Sequence, residues 1–310
     1  MALVSVVGAS GRQGLAQMEQ LRAAGYEVRA ISRNADAFRG TAFEDVEVRP
    51  ADLFDQASLP KAFEGSDAIF FNHPVQARAQ RAELAEAVGI AGKAVGVKRV
   101  VWNTSSWIPD RPGDPFTYGW NTDGINRLFR TGVPATVFGG VLFMDNLLTN
   151  WVRPKVLHEG VFIYPHGPKV RANWISLDDV ARIMIASLDR PDFEGSWMNI
   201  GGSEALQGAD VAAALGEALG RDVRFQYSSP AQFGTDLADA FGDNMPAERK
   251  AQFAKDIEAF YTYNNDSPTR PFEVDVAYQQ SRLPGFQPER LVDWAKRQDW
   301  SDEAHRPSGG

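Results

Sequence analysis

Three glycines in Val6-Val7-Gly8-Ala9-Ser10-Gly11-Arg12-Gln13-Gly14 stand at a spacing suited to binding a linked pair of phosphates. Gly8 lets the chain leave a strand in a tight turn. Gly11 lets the backbone approach a pyrophosphate with no Cβ in the way, and Gly14 lets the next helix lie close to the sheet. A helix opening near Arg12 aims its N–H groups at the anion, with Ser10, Arg12 and Gln13 filling the same loop. The spacing is G-x-x-G-x-x-G, so a purely structural turn competes with this reading. Its position between a first strand and a first helix favours the nucleotide. About 20 residues on, an acid would hold the ribose 2′-hydroxyl of NAD. The chain reads Ile31-Ser32-Arg33-Asn34 there, with no acid. The planar fork of Arg33 suits a 2′-phosphate, with Arg12 as a second jaw, so NADP(H) is expected ahead of NAD(H). The rival reading makes Arg33 a solvated residue opening a helix.

Groups able to move a proton come next. Tyr118-Gly119-Trp120-Asn121-Thr122 has a threonine, not a lysine, four positions after the tyrosine. A phenol with no cation beside it stays protonated at neutral pH. It can donate to a developing alkoxide but is a poor base for alcohol oxidation, which favours reduction. Thr104-Ser105-Ser106 ends a strand candidate, where hydroxyls either face cofactor and substrate or simply turn the chain. His73, in Asn72-His73-Pro74, is a proton-donor candidate or a residue fixed in a Pro-bounded loop. Trp107, Trp120, Phe143, Met144 and Trp151, with Phe116 and Tyr118, would rim a cleft for an apolar, aromatic ligand, although such residues also build cores. Of these, Trp107, Trp120 and Met144, with Ser106, are taken as the substrate pocket. His158, His166 and His305 lack an i+4 partner and the chain has no cysteine, so no metal site is expected.

The elements that must position these groups follow from periodicity. Short runs of Val, Ile and Phe at 3–7, 27–32, 46–48, 68–72, 99–104 and 135–138 alternate with helical patterns, including 78–95. Runs rather than alternations suit strands covered on both faces. Repeated strand–helix alternation implies an α/β protein with a doubly wound parallel sheet, the Rossmann arrangement. Past residue 150 the rhythm loosens: strands at 172–176, 197–200 and 223–227, helices at 177–188 and 210–219, then charged helical stretches to 263. Ser176, Asp178 and Asp179 suit the positive end of the helix they open. The expected division is a dinucleotide-binding domain over 1–155 and a smaller C-terminal α/β substrate domain over 156–310, with 170–200 returning to the first sheet.

These residues resemble the NmrA-like branch of the atypical short-chain dehydrogenase/reductases. The resemblance rests on the glycine loop, Val28-Arg29-Ala30-Ile31-Ser32-Arg33-Asn34, Ala51-Asp52-Leu53, Gly96-Val97-Lys98-Arg99-Val100-Val101-Trp102, Gly132-Val133-Pro134, Phe143-Met144-Asp145-Asn146-Leu147 and Ile175-Ser176-Leu177-Asp178-Asp179-Val180-Ala181. It implies that Asp52 and Leu53 flank the adenine. The Asn72-His73-Pro74 loop would then pass the nicotinamide half, and the stretch from Gly140 to Phe143 would lie along it. Asn121 falls where many relatives carry a lysine; an amide can hydrogen-bond a ribose hydroxyl but supplies no charge. The family holds working reductases of quinones and phenylpropanoids, and also NADP-binding proteins that regulate partners.

Composition bounds the rest. The 310 residues are 44% hydrophobic and 23% charged, an ordinary globular balance. A net charge of -8 and the lack of a basic run argue against nucleic acid. No apolar stretch approaches the ~18 residues of a membrane span. The apolar start reads as a strand rather than a targeting signal, and the absence of cysteine fits a cytoplasmic location. Asn103-Thr104-Ser105 and Asn265-Asp266-Ser267 match the glycosylation sequon and are read as chance. The leading expectation is an NADPH-dependent reductase of a small aromatic or quinone-like carbonyl. The alternatives are an NADP(H)-binding sensor acting on a regulatory protein partner, and a redox-neutral isomerase or lyase. A homodimer is compatible with all three.

Overall fold

Six strands of the first half pair in parallel: β1 (Leu3–Val7), β2 (Glu27–Ser32), β3 (Glu47–Pro50), β4 (Ala68–Asn72), β5 (Arg99–Asn103) and β6 (Ala135–Gly140). The computed structural model describes residues 1–34, 36–110, 116–241 and 245–302, without the side chains of Val75, Gln76, Arg78, Phe116 and Thr117. His305 and the Phe116 ring therefore lie outside the described residues. The short strands β7 (Val161–Tyr164) and β8 (Ala172–Asn173) come next, and β9 (Ser196–Ile200) then joins the main sheet beside β6. The resulting seven-stranded sheet has the order β3-β2-β1-β4-β5-β6-β9. Strand order reverses between β1 and β4, and a parallel sheet opens its ligand crevice at the carboxyl ends on either side of such a reversal.

Every residue of β4, β5 and β6 is buried, as their unbroken apolar runs imply. One face is covered by α2 (Leu59–Phe63), α3 (Arg81–Val95) and α4 (Phe116–Arg130), and the other by α1 (Arg12–Ala23) and α5 (Leu177–Ala186). Several boundaries differ from expectation, and in the first half three have a local cause. The edge strand β3 sits at 47–50 because its register is set by pairing with β2. β6 runs on through Gly139 and Gly140, which pair with Asn199 and Ile200 of β9. Helix α3 starts at Arg81, after a 3-10 turn over Val75–Gln80 that follows Pro74.

The second half is mainly helical. β8 pairs with β10 (Ala205–Leu206) and β7 with β11 (Arg224–Tyr227); α6 (Gly208–Leu219), α7 (Pro230–Phe241), α8 (Ala247–Asp266) and α10 (Leu291–Lys296) pack with them into one core, whereas α9 (Val276–Arg282) lies beside β9. Ser176 caps α5 by accepting from Asp179 N–H at 3.0 Å, the role its position implied. A separate aromatic core holds this half together, and a small cluster of Trp107, Tyr118 and Val141 meets Phe260, Tyr263 and Val274 at the seam. Among the described residues no helix is long and apolar enough to cross a membrane.

Candidate functional site

The glycine loop is built as the spacing demands. Gly8 takes φ +72°, which a side chain rarely adopts, and Gly11 N–H returns to Gly8 carbonyl oxygen at 3.1 Å to close the bend. A Cβ on Gly14 would sit 2.3 Å from that oxygen and 2.5 Å from Ala9 Cα, so helix α1 packs against the loop backbone itself. A Cβ on Gly11 would meet only the same oxygen, at 3.4 Å. The space above the bend is therefore clear of protein. No side chain caps α1, and its first turn carries no acid, so its N–H groups and dipole face outward toward an anion. These features fit a dinucleotide pyrophosphate. Arg33 is exposed just past β2, and Asp52 and Leu53 follow β3 beside it, because Ser32 and Pro50 are paired.

From the loop, Gln13 reaches across the sheet. Its Nε2 donates to Ser105 Oγ at 2.8 Å and its Oε1 accepts from Asn103 Nδ2 at 2.7 Å. Asn103 is fully buried, and its Oδ1 accepts from the backbone N–H groups of Ser105 and Gly140 at 3.1 and 3.3 Å. Ser105 is held at φ +57°, a costly conformation for a residue with a Cβ. Glycine at 140 makes room for Phe143, since a Cβ there would lie 2.7 Å from that ring. Asn72 braces the loop from below: it exchanges hydrogen bonds with Gln17 and donates to Val7 carbonyl oxygen at 3.1 Å. Its side chain is thus engaged beneath the crevice rather than in it.

His73 is buried at the end of β4, and its Nδ1 accepts from Trp102 Nε1–H at 3.3 Å. Indole nitrogen only donates, so a neutral His73 carries its proton on Nε2.

Several residues expected at the site have their polar groups engaged within the protein. Tyr118 is 1% exposed, its hydroxyl donates to Asn264 Oδ1 at 2.9 Å, and Trp107, Phe260 and Tyr263 pack around it. Its phenolic proton is engaged with α8 and not with the crevice. Asn121 is fully buried: it donates to Ser106 Oγ at 2.9 Å and Trp107 carbonyl oxygen at 2.8 Å, and accepts from Arg81. Both donors of its amide are thus engaged within the protein. Thr104 uses its hydroxyl on Ser106 carbonyl oxygen at 2.7 Å. Arg12 turns from the Arg33 side toward the loop after β6, bonding Asp145 carbonyl oxygen at 2.9 Å and Asn146 Oδ1 at 3.3 Å. Burial pushes the Asp145 carboxyl up, while Leu177 N–H and the Arg12 charge pull it back. Met144 and Trp151 belong to the C-terminal core, and Trp120 lies under the Arg81 guanidinium, 5.7 Å from its ring centre. No cluster of metal-binding side chains occurs among the described residues.

A model of the NmrA-like family matches residues 1–300. The chain belongs to the NmrA-like family. It is 28% identical over 249 residues to the NAD(P)H azoreductase of Xenophilus azovorans, covering 78% of this chain and 85% of that protein. It is 26% identical over 237 residues to quinone oxidoreductase 2 of Escherichia coli, covering 76% and 81% respectively. Among solved structures, Citrobacter sp. triphenylmethane reductase with NADP(H) matches at TM-score 0.76 and 20% identity, over 96% of this chain and 99% of that one. The E. coli NADPH-dependent quinone oxidoreductase with NADPH matches at 0.70 and 22%, over 94% and 98%. At these identities the structural likeness is one of fold.

Within this NmrA-like frame, three side chains matter that sequence reading passed over. Asn103 was visible only as part of a sequon, yet it ties β5 to the glycine loop. Arg81, 2% exposed on α3, brings a guanidinium to Asn121. Asn199 clamps both backbone groups of Ile108, at 2.7 and 2.9 Å, and so fixes the loop after Ser105. No local pattern announces any of them. The one signal available was a polar residue inside or beside an apolar run, such as Asn103 and Asn199.

Proposed function

We propose that this NmrA-like protein is an NADP(H)-dependent reductase of small, flat, aromatic or quinone-like electrophiles. The observation that carries the reading is the Cβ-free bend at the uncapped end of α1, joined through Gln13 to a strained serine hydroxyl. Backbone N–H groups of the loop hold the pyrophosphate, Arg33 meets the 2′-phosphate, and Asp52 and Leu53 flank the adenine. Once bound, the nicotinamide supplies a hydride. Ser105 Oγ, at the carboxyl end of β5, hydrogen-bonds the acceptor oxygen as negative charge develops on it. The proton that completes a two-electron reduction comes from solvent, relayed through His73 Nε2. Phe143 lines the nicotinamide side, and Trp107 and Tyr118 form an apolar wall toward α8. The azoreductase and quinone oxidoreductase relatives support the acceptor class and NADP(H) as the cofactor.

The test is NADPH oxidation, followed by absorbance, with a naphthoquinone, an azo dye and a triphenylmethane dye in turn. Turnover of at least one, faster with NADPH than with NADH, is the expected result. NADPH binding without turnover on any acceptor would instead favour a cofactor sensor, a state to which the engaged Tyr118 hydroxyl is suited.

A further inference from the structure

Three consecutive hydroxyls follow β5, and they are spent differently. Thr104 donates to Ser106 carbonyl oxygen at 2.7 Å, and Ser106 donates to Thr104 carbonyl oxygen at 3.4 Å. Ser105, half-buried and held at φ +57°, bonds through its hydroxyl to Gln13 Nε2 at 2.8 Å. Which part of the hydroxyl is used in that bond decides what it can offer a ligand.

Two peptide groups set the direction. A backbone N–H only donates, so the Asn103 atom facing the N–H groups of Ser105 and Gly140, at 3.1 and 3.3 Å, has to be the amide oxygen. The amide nitrogen of Asn103 then lies toward Gln13, 2.7 Å from its Oε1. With its oxygen receiving that bond, Gln13 turns its own nitrogen to Ser105 Oγ. The chain of bonds closes on itself: Ser105 N–H to Asn103, Asn103 to Gln13, Gln13 to Ser105 Oγ, each running the same way. Hydrogen bonds aligned head to tail polarise one another, and Asn103 is fully buried, where screening is weakest. A hydroxyl that accepts from an amide keeps its single proton for another partner. Among the described residues no acceptor receives that proton.

We propose that Gln13 is a positioning residue that fixes Ser105 as a hydrogen-bond donor to the crevice, so that the site selects ligands by an acceptor atom, a carbonyl oxygen or an azo nitrogen. The inference rests on the reductase reading and adds to it the residue that sets the direction of the serine proton. Gln13 acts through Ser105 and not on the acceptor itself. It is the second residue of α1, so the turn that faces the pyrophosphate also carries the amide that orients the serine.

The test exchanges the amide for its isostere. Gln13→Glu keeps an oxygen for Asn103 but offers Ser105 only an acceptor, so the serine proton turns away from the crevice. With saturating NADPH and 1,4-naphthoquinone at neutral pH, kcat should fall at least about tenfold. The ratio of variant to wild-type kcat should then rise as pH falls toward the ordinary carboxyl range near ~4.3, where the protonated group can donate again. Gln13→Leu, which has nothing to titrate, should show no such rise. In a Ser105→Ala background, adding Gln13→Glu should cost no further kcat, because the hydroxyl through which it acts is gone. An unchanged kcat, a ratio that stays flat with pH, or an equal loss with and without the Ser105 hydroxyl would overturn the proposal. Neutron diffraction of the deuterated full chain reads the same direction without turnover and without a variant. The Ser105 deuteron should lie off the line to Gln13, and a deuteron on that line would overturn the assignment. Failure of the wild type to oxidise NADPH with any acceptor would refute the reductase reading separately, and the neutron result would still decide the direction of the hydroxyl.

Discussion

At Gly11 and Gly14 the same substitution should have opposite consequences. A methyl group at 14 meets backbone atoms at 2.3 and 2.5 Å, which cannot swing aside. Gly14→Ala should therefore destabilise the protein by about 1–3 kcal/mol, read by denaturant unfolding. A methyl at 11 touches only Gly8 carbonyl oxygen at 3.4 Å, so Gly11→Ala should melt like the wild type but bind NADPH at least about tenfold more weakly. Equal losses of stability in both would contradict the close helix–loop contact. Ser105 offers a second contrast. Its φ of +57° is unfavourable for any residue with a Cβ, and strain of this kind gathers at functional sites. Ser105→Gly should gain about 1 kcal/mol of stability and lose most turnover, measured by unfolding and by quinone reduction. Unchanged turnover would remove Ser105 from the chemistry.

Elements are held together by polar side chains that bridge the carboxyl edge of the sheet. Asn103 on β5 serves Gln13 on α1 and the backbone at Ser105 and Gly140. Asn103→Ala leaves those two N–H groups unsatisfied and frees Gln13, so stability should fall by about 1–3 kcal/mol and turnover should fall with it. Stability lost without any change in turnover would show that the bridge does not position Ser105. The strands themselves were legible in sequence, because burial on both faces writes a local apolar run. The bridges were not. Gln13 and Ser105 are 92 positions apart and Arg81 and Asn121 are 40 apart, so their meeting depends on strand order rather than on any local pattern. Tyr118 illustrates the same limit: its spacing suggested a proton donor, but Asn264, 146 positions later, holds its hydroxyl. The two asparagines read as chance sequons are both internal ties, Asn103 in the crevice and Asn265 in the last turn of α8.

Across the whole molecule, the glycine loop and the family motifs predicted the doubly wound sheet, whereas the helical second half left only a loosened rhythm to read. That half also carries a pH-sensitive group. His166 is neutral when folded, with a pKa lowered from 6.5 to about 3 by burial, and gains a proton more readily when unfolded. Its contribution to stability is complete above pH 6.5 and is lost as pH falls from 6.5 toward 3. From pH 7 to pH 5 the wild type should lose about 2 kcal/mol more than His166→Phe, measured by denaturant unfolding of both. Parallel losses would mean that His166 is not buried as described. The dinucleotide site itself is the claim on which the chemistry stands, and calorimetric titration with NADPH and NADH tests it most directly. The expected result is saturable binding of NADPH, tighter than NADH, with that preference abolished in Arg33→Ala and binding of both weakened in Gly11→Ala. Absence of binding by either dinucleotide to the folded wild-type protein would contradict it.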